Sequence, residues 1–249
     1  MSAISPFPIH RKFFILFGIL AALPAGQALA DTKAAVQIES VTCQQNPSAN
    51  SQNSGLVSIM TTALANSQAS SYLIDASLVT GLLTNTTVTS NGGGKSSGSA
   101  TGSVQVGVII DGTFDVNGQY LSGGSYAYPG LLSFDARTQT LTATLGQALS
   151  GCTIVSGVVQ CTSFTPEQIQ LVLDTTSAHS FEFILPNVGV APNSAPHRVD
   201  IVARVSSSTL SSGLGSALAS ACYGAGSLVV DAVRLGHGFS CSGTGCSAN

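Results

Sequence analysis

Alternation of apolar and polar residues recurs along most of this chain, and it restricts the fold more than any other feature. Val199, Ile201, Ala203 and Val205 fall on one side of an extended strand, with Asp200, Val202 and Arg204 on the other. Leu141, Ala143 and Leu145 alternate with Thr140, Thr142 and Thr144 in the same way. Val104, Val106, Val108 and Ile110 alternate with Gln105, Gly107 and Ile109, and Phe181, Phe183 and Leu185 form a row from which Glu182 turns away. A period of two marks a strand with one face in a core. Segments 71–89 and 227–235 carry apolar residues on both faces, as more central strands do. Segment 56–65 fits strand or helix equally.

Short strands separated by turn residues predict an all-β protein, a two-sheet antiparallel β-sandwich of jelly-roll-like type. One short helix is expected. Thr165, Pro166 and Gln168 read as an N-cap, a first helical position and a capping-box partner, and Ile169, Val172 and Leu173 give it one apolar stripe. The Gly/Ser-rich segments 91–103 and 206–216 read as flexible loops, and 186–198, with three prolines, as a long connection. An outer-membrane barrel is disfavoured, because aromatic residues are only 6% of the chain and form no interfacial girdles.

The first thirty residues read as a signal peptide. Arg11 and Lys12 supply its charge, Phe13 to Leu23 its apolar core, and Ala28-Leu29-Ala30 a cleavage site before Asp31. Residues 31–235 are expected to form a single β-sandwich domain and 236–249 a Gly/Ser/Cys tail. No transmembrane segment is expected once the leader is cleaved, and the protein is expected to be secreted, extracellular or periplasmic.

Export makes the six cysteines a disulfide framework. One bridge follows from local geometry. In the segment from Cys152 to Cys161, two β-prone arms flank Ser156-Gly157. A two-residue turn there sets Val155 opposite Val158 and Cys152 opposite Cys161 at a non-hydrogen-bonded pair, where Cα atoms approach closely enough for a disulfide. Cys43, Cys222, Cys241 and Cys246 stay open. Cys241 with Cys246 would leave Cys43 for Cys222, and other pairings with the tail fit as well. A zinc site built from His237, Cys241 and Cys246 matches no usual ligand spacing.

Charged residues are 8% of the chain, against about a quarter in ordinary soluble domains. Without the leader, six basic residues face eleven acidic ones, a net charge of −5. No basic footprint for nucleic acid exists, and weak mutual repulsion eases self-association. His179, His197 and His237 are the mature histidines, and no nucleophile-elbow motif accompanies them. Asp111, Thr113, Asp115 and Asn117 offer oxygens that loosely suggest calcium, but the acidic residue that would close such a loop is missing near 122–124. Asp200 and Arg204 are expected to meet Glu182 in a solvated charge cluster. Tyr120, Tyr126 and Tyr128 cluster as a possible sugar-stacking surface, although Trp is absent. Nothing calls for a cofactor or a metal.

The reading that follows is an exported, non-catalytic β-sandwich with a structural or adhesive role at the cell surface or in the extracellular matrix. Its expected partners are further copies of itself or surface and matrix components. A carbohydrate- or ligand-binding module is the alternative, and a secreted hydrolase a more distant one.

Overall fold

The computed structural model of this protein describes residues 33–37, 41–46, 51–65, 68–90, 94–190, 195–233, 239–242 and 245–248. The expected leader and His237 lie outside them. The strands are β1 (Lys33–Gln37), β2 (Thr42–Asn46), β3 (Ser51–Asn53), β4 (Val57–Leu64), β5 (Ser70–Thr89) and β6 (Lys95–Ile110). There follow β7 (Thr113–Phe114), β8 (Tyr120–Ser122), β9 (Ser125–Tyr126), β10 (Leu132–Thr144), β11 (Gln147–Val155) and β12 (Val158–Pro166). The chain continues through β13 (Gln168–Val188), β14 (His197–Ser212), β15 (Gly215–Val233), β16 (Phe239–Ser242) and β17 (Gly245–Ala248).

Two antiparallel sheets pack face to face. One has the order β1-β15-β5-β13, with β2 also on β15. The other runs β10-β6-β14-β3, with β4 also on β14 and β9 on β6. The core between them takes Ile74, Leu78, Leu82, Leu228 and Val230 from the first sheet and Val104, Val106, Val108, Ile201 and Val205 from the second. Those of the second sheet belong to the alternating rows, which bury one face in an apolar layer, and those of the first come from the two segments apolar on both faces. The ambiguous segment 56–65 is strand β4.

No helix forms between 165 and 173. That stretch ends β12 and opens β13, where Gln168 to Leu173 pair with Thr89 to Thr84 of β5. The same residues that space as a helical stripe also alternate as Gln168-Ile169-Gln170-Leu171-Val172-Leu173. The ladder along β5 supplies every one of them with a neighbour, and this outweighs the local cap.

The described residues of the two Gly/Ser-rich segments are largely strand as well. Lys95 to Ser103 run within β6, and Ser206 to Ser212 lie opposite them in β14. The reason lies in the spacing of the layers. A Cβ on Gly98 would sit 2.4 Å from the Ser216 carbonyl oxygen of the other sheet. A Cβ on Gly215 would come within 1.9 Å of the Ser97 carbonyl. At this end the sheets close to backbone contact, and buried Ser96, Ala100, Thr84, Thr86 and Ala219 fill what space is left. Small side chains here are the packing, not a sign of mobility.

Cys43 on β2 is bonded to Cys222 on β15 across 179 residues of sequence. Closing so long a loop removes roughly 5 kcal/mol of chain entropy from the unfolded state. β11 and β12 form an antiparallel hairpin with Val155 opposite Val158 and Cys152 opposite Cys161. Its turn residues Ser156 and Gly157 have φ of 53° and 77°, as a two-residue hairpin turn requires. Cys152 is oxidised in a disulfide. β16 and β17 form a second small hairpin with Cys241 opposite Cys246. Among the described residues, no helix is long and apolar enough to cross a membrane.

Candidate functional site

A cluster of ionisable side chains forms where β14 begins. His197 is nearly buried. Its Nδ1 lies 2.6 Å from Asp111 Oδ2 and its Nε2 3.0 Å from the Gly189 carbonyl oxygen. Both partners accept hydrogen bonds, so the arrangement is complete only when both ring nitrogens carry hydrogen. Burial alone would lower the His197 pKa, but the Asp111 bond, the Gly189 carbonyl and the Asp111 charge together raise it above the ordinary value. Asp111 takes a φ of 55° at the turn leaving β6, which lets its other oxygen accept the Arg198 backbone N–H at 3.0 Å.

Asp200 is two residues further on and fully buried. Arg198 donates to it from Nε and Nη2, both at 2.7 Å, and the Ser58 hydroxyl donates at 2.6 Å. The guanidinium also lies 4.7 Å from the Phe114 ring centroid. This corrects the expected solvated cluster. Asp200 does not meet Arg204 or Glu182. Arg204 bonds Gln105 on the neighbouring strand, and Glu182 is exposed on the other sheet. The burial arises because the 111–131 excursion folds back over this face, bonding Ser58 N–H to Gly118 O and Tyr120 N–H to Leu56 O.

For chemistry, this cluster is closed. Neither nitrogen of His197 is left to take a proton from a nucleophile, and the Ser58 hydroxyl is committed to Asp200 rather than to a base. Asp111 and Asp115 are not brought together. Asp115 Oδ1 accepts the backbone N–H groups of Asn117 and Gln119, both at 2.8 Å, an ordinary use of Asp in a turn. Among the described residues no group of three or more His, Cys, Asp or Glu is placed to hold a metal ion. His179 lies on β13. Its Nε2 is 4.0 Å from Asp135 Oδ2.

The tyrosines are only partly brought together. Tyr120 and Tyr126 meet edge to face, with centroids 6.4 Å apart and planes at 64°, and Phe114 extends the row at 5.7 Å. Their faces do not share a plane, as a sugar-stacking platform would need. Tyr126 hydroxyl ionisation is disfavoured, first by burial and then by the neighbouring Tyr120. Tyr128 exchanges backbone bonds with Ile184 instead. With Tyr126, Pro129 and Leu131 it lines a shallow depression of about 350 Å³.

A third feature went unread in the sequence. β10 presents Asp135, Arg137 and Gln139 from one side, and each reaches across to the other sheet. Asp135 accepts from the Thr80 hydroxyl at 3.0 Å. Arg137 donates to the Leu82 and Leu173 carbonyls and to Thr175 Oγ1. Gln139 accepts from Thr84 at 2.9 Å and donates to Thr86 and the Leu171 carbonyl, each at 2.7 Å. This polar row closes the side of the sandwich between its two edge strands. The polar i, i+2, i+4 spacing on β10 and the threonines at 80, 84 and 86 were the signal.

Beyond that row, β13 is open. Among the described strands it pairs only with β5. Ile184 exchanges both of its backbone bonds with Tyr128, so by alternation the even-numbered residues from Gln168 to Glu182 turn their N–H and C=O groups to the outer edge. Ile169, Leu171, Val172 and Leu173 are each exposed by 40% or more. No charge interrupts Gln168 to Leu173, although charge is the commonest guard of such edges.

No protein-family model matches this chain, and neither does any curated protein. Among solved structures, one of the infectious bursal disease virus Gx strain is similar over 82% of this chain and 40% of its own, at 7% identity and a TM-score of 0.13. The chain thus spans well under half of that structure, and so low a score carries no argument about fold or function.

Proposed function

We propose that this chain is an exported, non-catalytic structural protein that works by self-association or adhesion at a cell surface or in an extracellular matrix. One observation carries the reading: the start of β13, Gln168 to Leu173, offers an uncharged edge that no other described strand pairs, flanked by exposed aliphatic side chains. A row of unsatisfied backbone donors and acceptors is a template for another strand. Sparse charge leaves little repulsion to oppose the approach. The Cys43–Cys222 bridge suits an oxidising compartment. The closed cluster around His197 is consistent with a role that needs no acid–base chemistry.

The test is sedimentation analysis of the mature chain over a range of concentrations, beside Val172→Lys. The wild type is expected to associate with rising concentration and the variant, still folded by circular dichroism, to shift toward monomer. A wild-type protein that stays monomeric at its highest soluble concentration overturns the reading. A second reading, a glycan-binding module, rests on the depression beside exposed Tyr126. A glycan array with a Tyr126→Ala control tests it, because self-association alone gives no selective signal.

A further inference from the structure

The hairpin β11–β12 pairs with no other strand among those described. Its residues 152–160 are all exposed, and at its tip Ile154, Val155, Val158 and Val159 are exposed by 48–75%. Residues 147–166 contain no Asp, Glu, Lys or Arg. A lone two-stranded ribbon is marginal in water and gains stability from a third strand or a packed face. Placing bare aliphatic residues at its tip adds an exposed apolar surface that its own chain does not cover.

The hairpin is joined to the two sheets through its base. β10 ends at Thr144 and β11 begins at Gln147, while β12 ends at Pro166 and β13 begins at Gln168. The arm therefore connects the edge strands of both sheets. Glu167, the one residue between β12 and β13, clamps its base by accepting the Gly146 N–H at 3.1 Å and bonding Ser90 N–H through its carbonyl. For the arm to lie on its own β13, the chain would have to reverse within that single residue, and the tightest hairpin needs two.

We propose that β11–β12 is an assembly arm that adds to the open β13 edge of a second copy of this chain, reciprocally. The proposal rests on the self-association reading and names its contact. Each strand of the arm has nine residues, about 30 Å of extended chain, and laid along the β13 edge from Gln168 it reaches Thr176, with Asp174 the one charged residue in that stretch. Each protomer gives both an arm and an edge. The four tip side chains and the four aliphatic residues of β13, exposed by 40–75%, offer at most on the order of 700 Å² per protomer, against the ~800 Å² per partner of stable interfaces, and backbone pairing along the edge adds to it. A lipid surface suits the tip less well. Between Cys152 and Cys161 there is no aromatic or basic side chain, and those are the residues that anchor protein at a membrane interface.

Two variants of the full mature chain test this, a tip variant (Ile154→Lys with Val159→Lys) and the edge variant Val172→Lys. Each is checked for folding by circular dichroism and urea melting. Each alone is expected to weaken association at least ~100-fold, from the loss of buried aliphatic contacts. Mixed in equal amounts, the two are expected to form heterodimers, because the edge of the first and the arm of the second are intact. Restored association on mixing supports the arm. A tip variant that assembles like wild type while the edge variant does not overturns the arm and leaves the self-association reading standing. A monomeric wild type overturns both. Flotation of a monomeric wild type with zwitterionic phospholipid vesicles, lost in the tip variant, overturns the arm in favour of a lipid surface.

Discussion

Arg198 holds a carboxylate that has no access to water, and its removal is the most direct probe of how the second sheet is built. Asp200 is fully buried, and its two hydrogen bonds from the guanidinium are both 2.7 Å. Arg198→Met keeps an aliphatic side chain of similar reach and removes both donors together with the cation over Phe114, leaving Ser58 as the remaining side-chain donor to Asp200. Breaking one partner of a buried pair costs ~3–5 kcal/mol. The Arg198 side chain is 48% exposed, so water enters the vacated volume and the expected loss falls to about 2–3 kcal/mol. In the double variant Arg198→Met, Asp200→Val, no buried charge is stranded, and the loss should fall to about 1 kcal/mol. Urea unfolding followed by far-ultraviolet circular dichroism, with disulfides intact, reads both. An Arg198→Met protein within about 0.5 kcal/mol of wild type, or a double variant no more stable than the single, refutes the reasoning.

Two further outcomes follow from the same structure. The folded pKa of His197 lies above its unfolded value, so its contribution to stability is fully present below the unfolded pKa and is lost as pH rises through the folded one. Thermal melts of His197→Asn beside wild type should show the largest gap near pH ~6 and a shrinking gap toward pH ~9, and a gap that widens with pH would contradict this. Gly98→Ala places a methyl 2.4 Å from the Ser216 carbonyl oxygen and should cost about 2 kcal/mol or more in urea unfolding. Gly189→Ala, with nothing within 4 Å of its Cβ, should be near neutral, and equal effects at the two sites would sink the close-approach account.

Where one face is apolar and the other polar, the strand is legible residue by residue. Val104, Val106 and Val108 on β6 and Val199, Ile201 and Val205 on β14 are all buried as their alternation requires. The segment from Ile169 to Leu173 misled because it satisfies two periods at once, and the choice between them depends on whether a neighbouring strand is present. Nothing local records that β5 runs alongside. The Gly/Ser segments misled for a related reason. Small residues mean freedom in an isolated chain and close approach in a packed one, and the carbonyl of Ser216 that makes the difference lies more than a hundred residues away. Asp200 looked solvent-facing because its parity opposes Val199 and Ile201. The excursion that covers that face cannot be read from the strand itself. Of the candidate surfaces, the tyrosine cluster was legible as a cluster but not in the tilt of its rings. The β13 edge was hidden inside the residues assigned to a helix.

The placement of β15 governs when the first sheet of this protein can be completed. That strand lies between β1 and β5, with β2 stapled to it through Cys43 and Cys222, yet it begins only at Gly215. Without β15, β1 and β2 have no strand to pair with, although β13 can already pair with β5. Completion of that sheet, and of the disulfide that locks it, waits for this late strand, the kind of long-range pairing that slows folding.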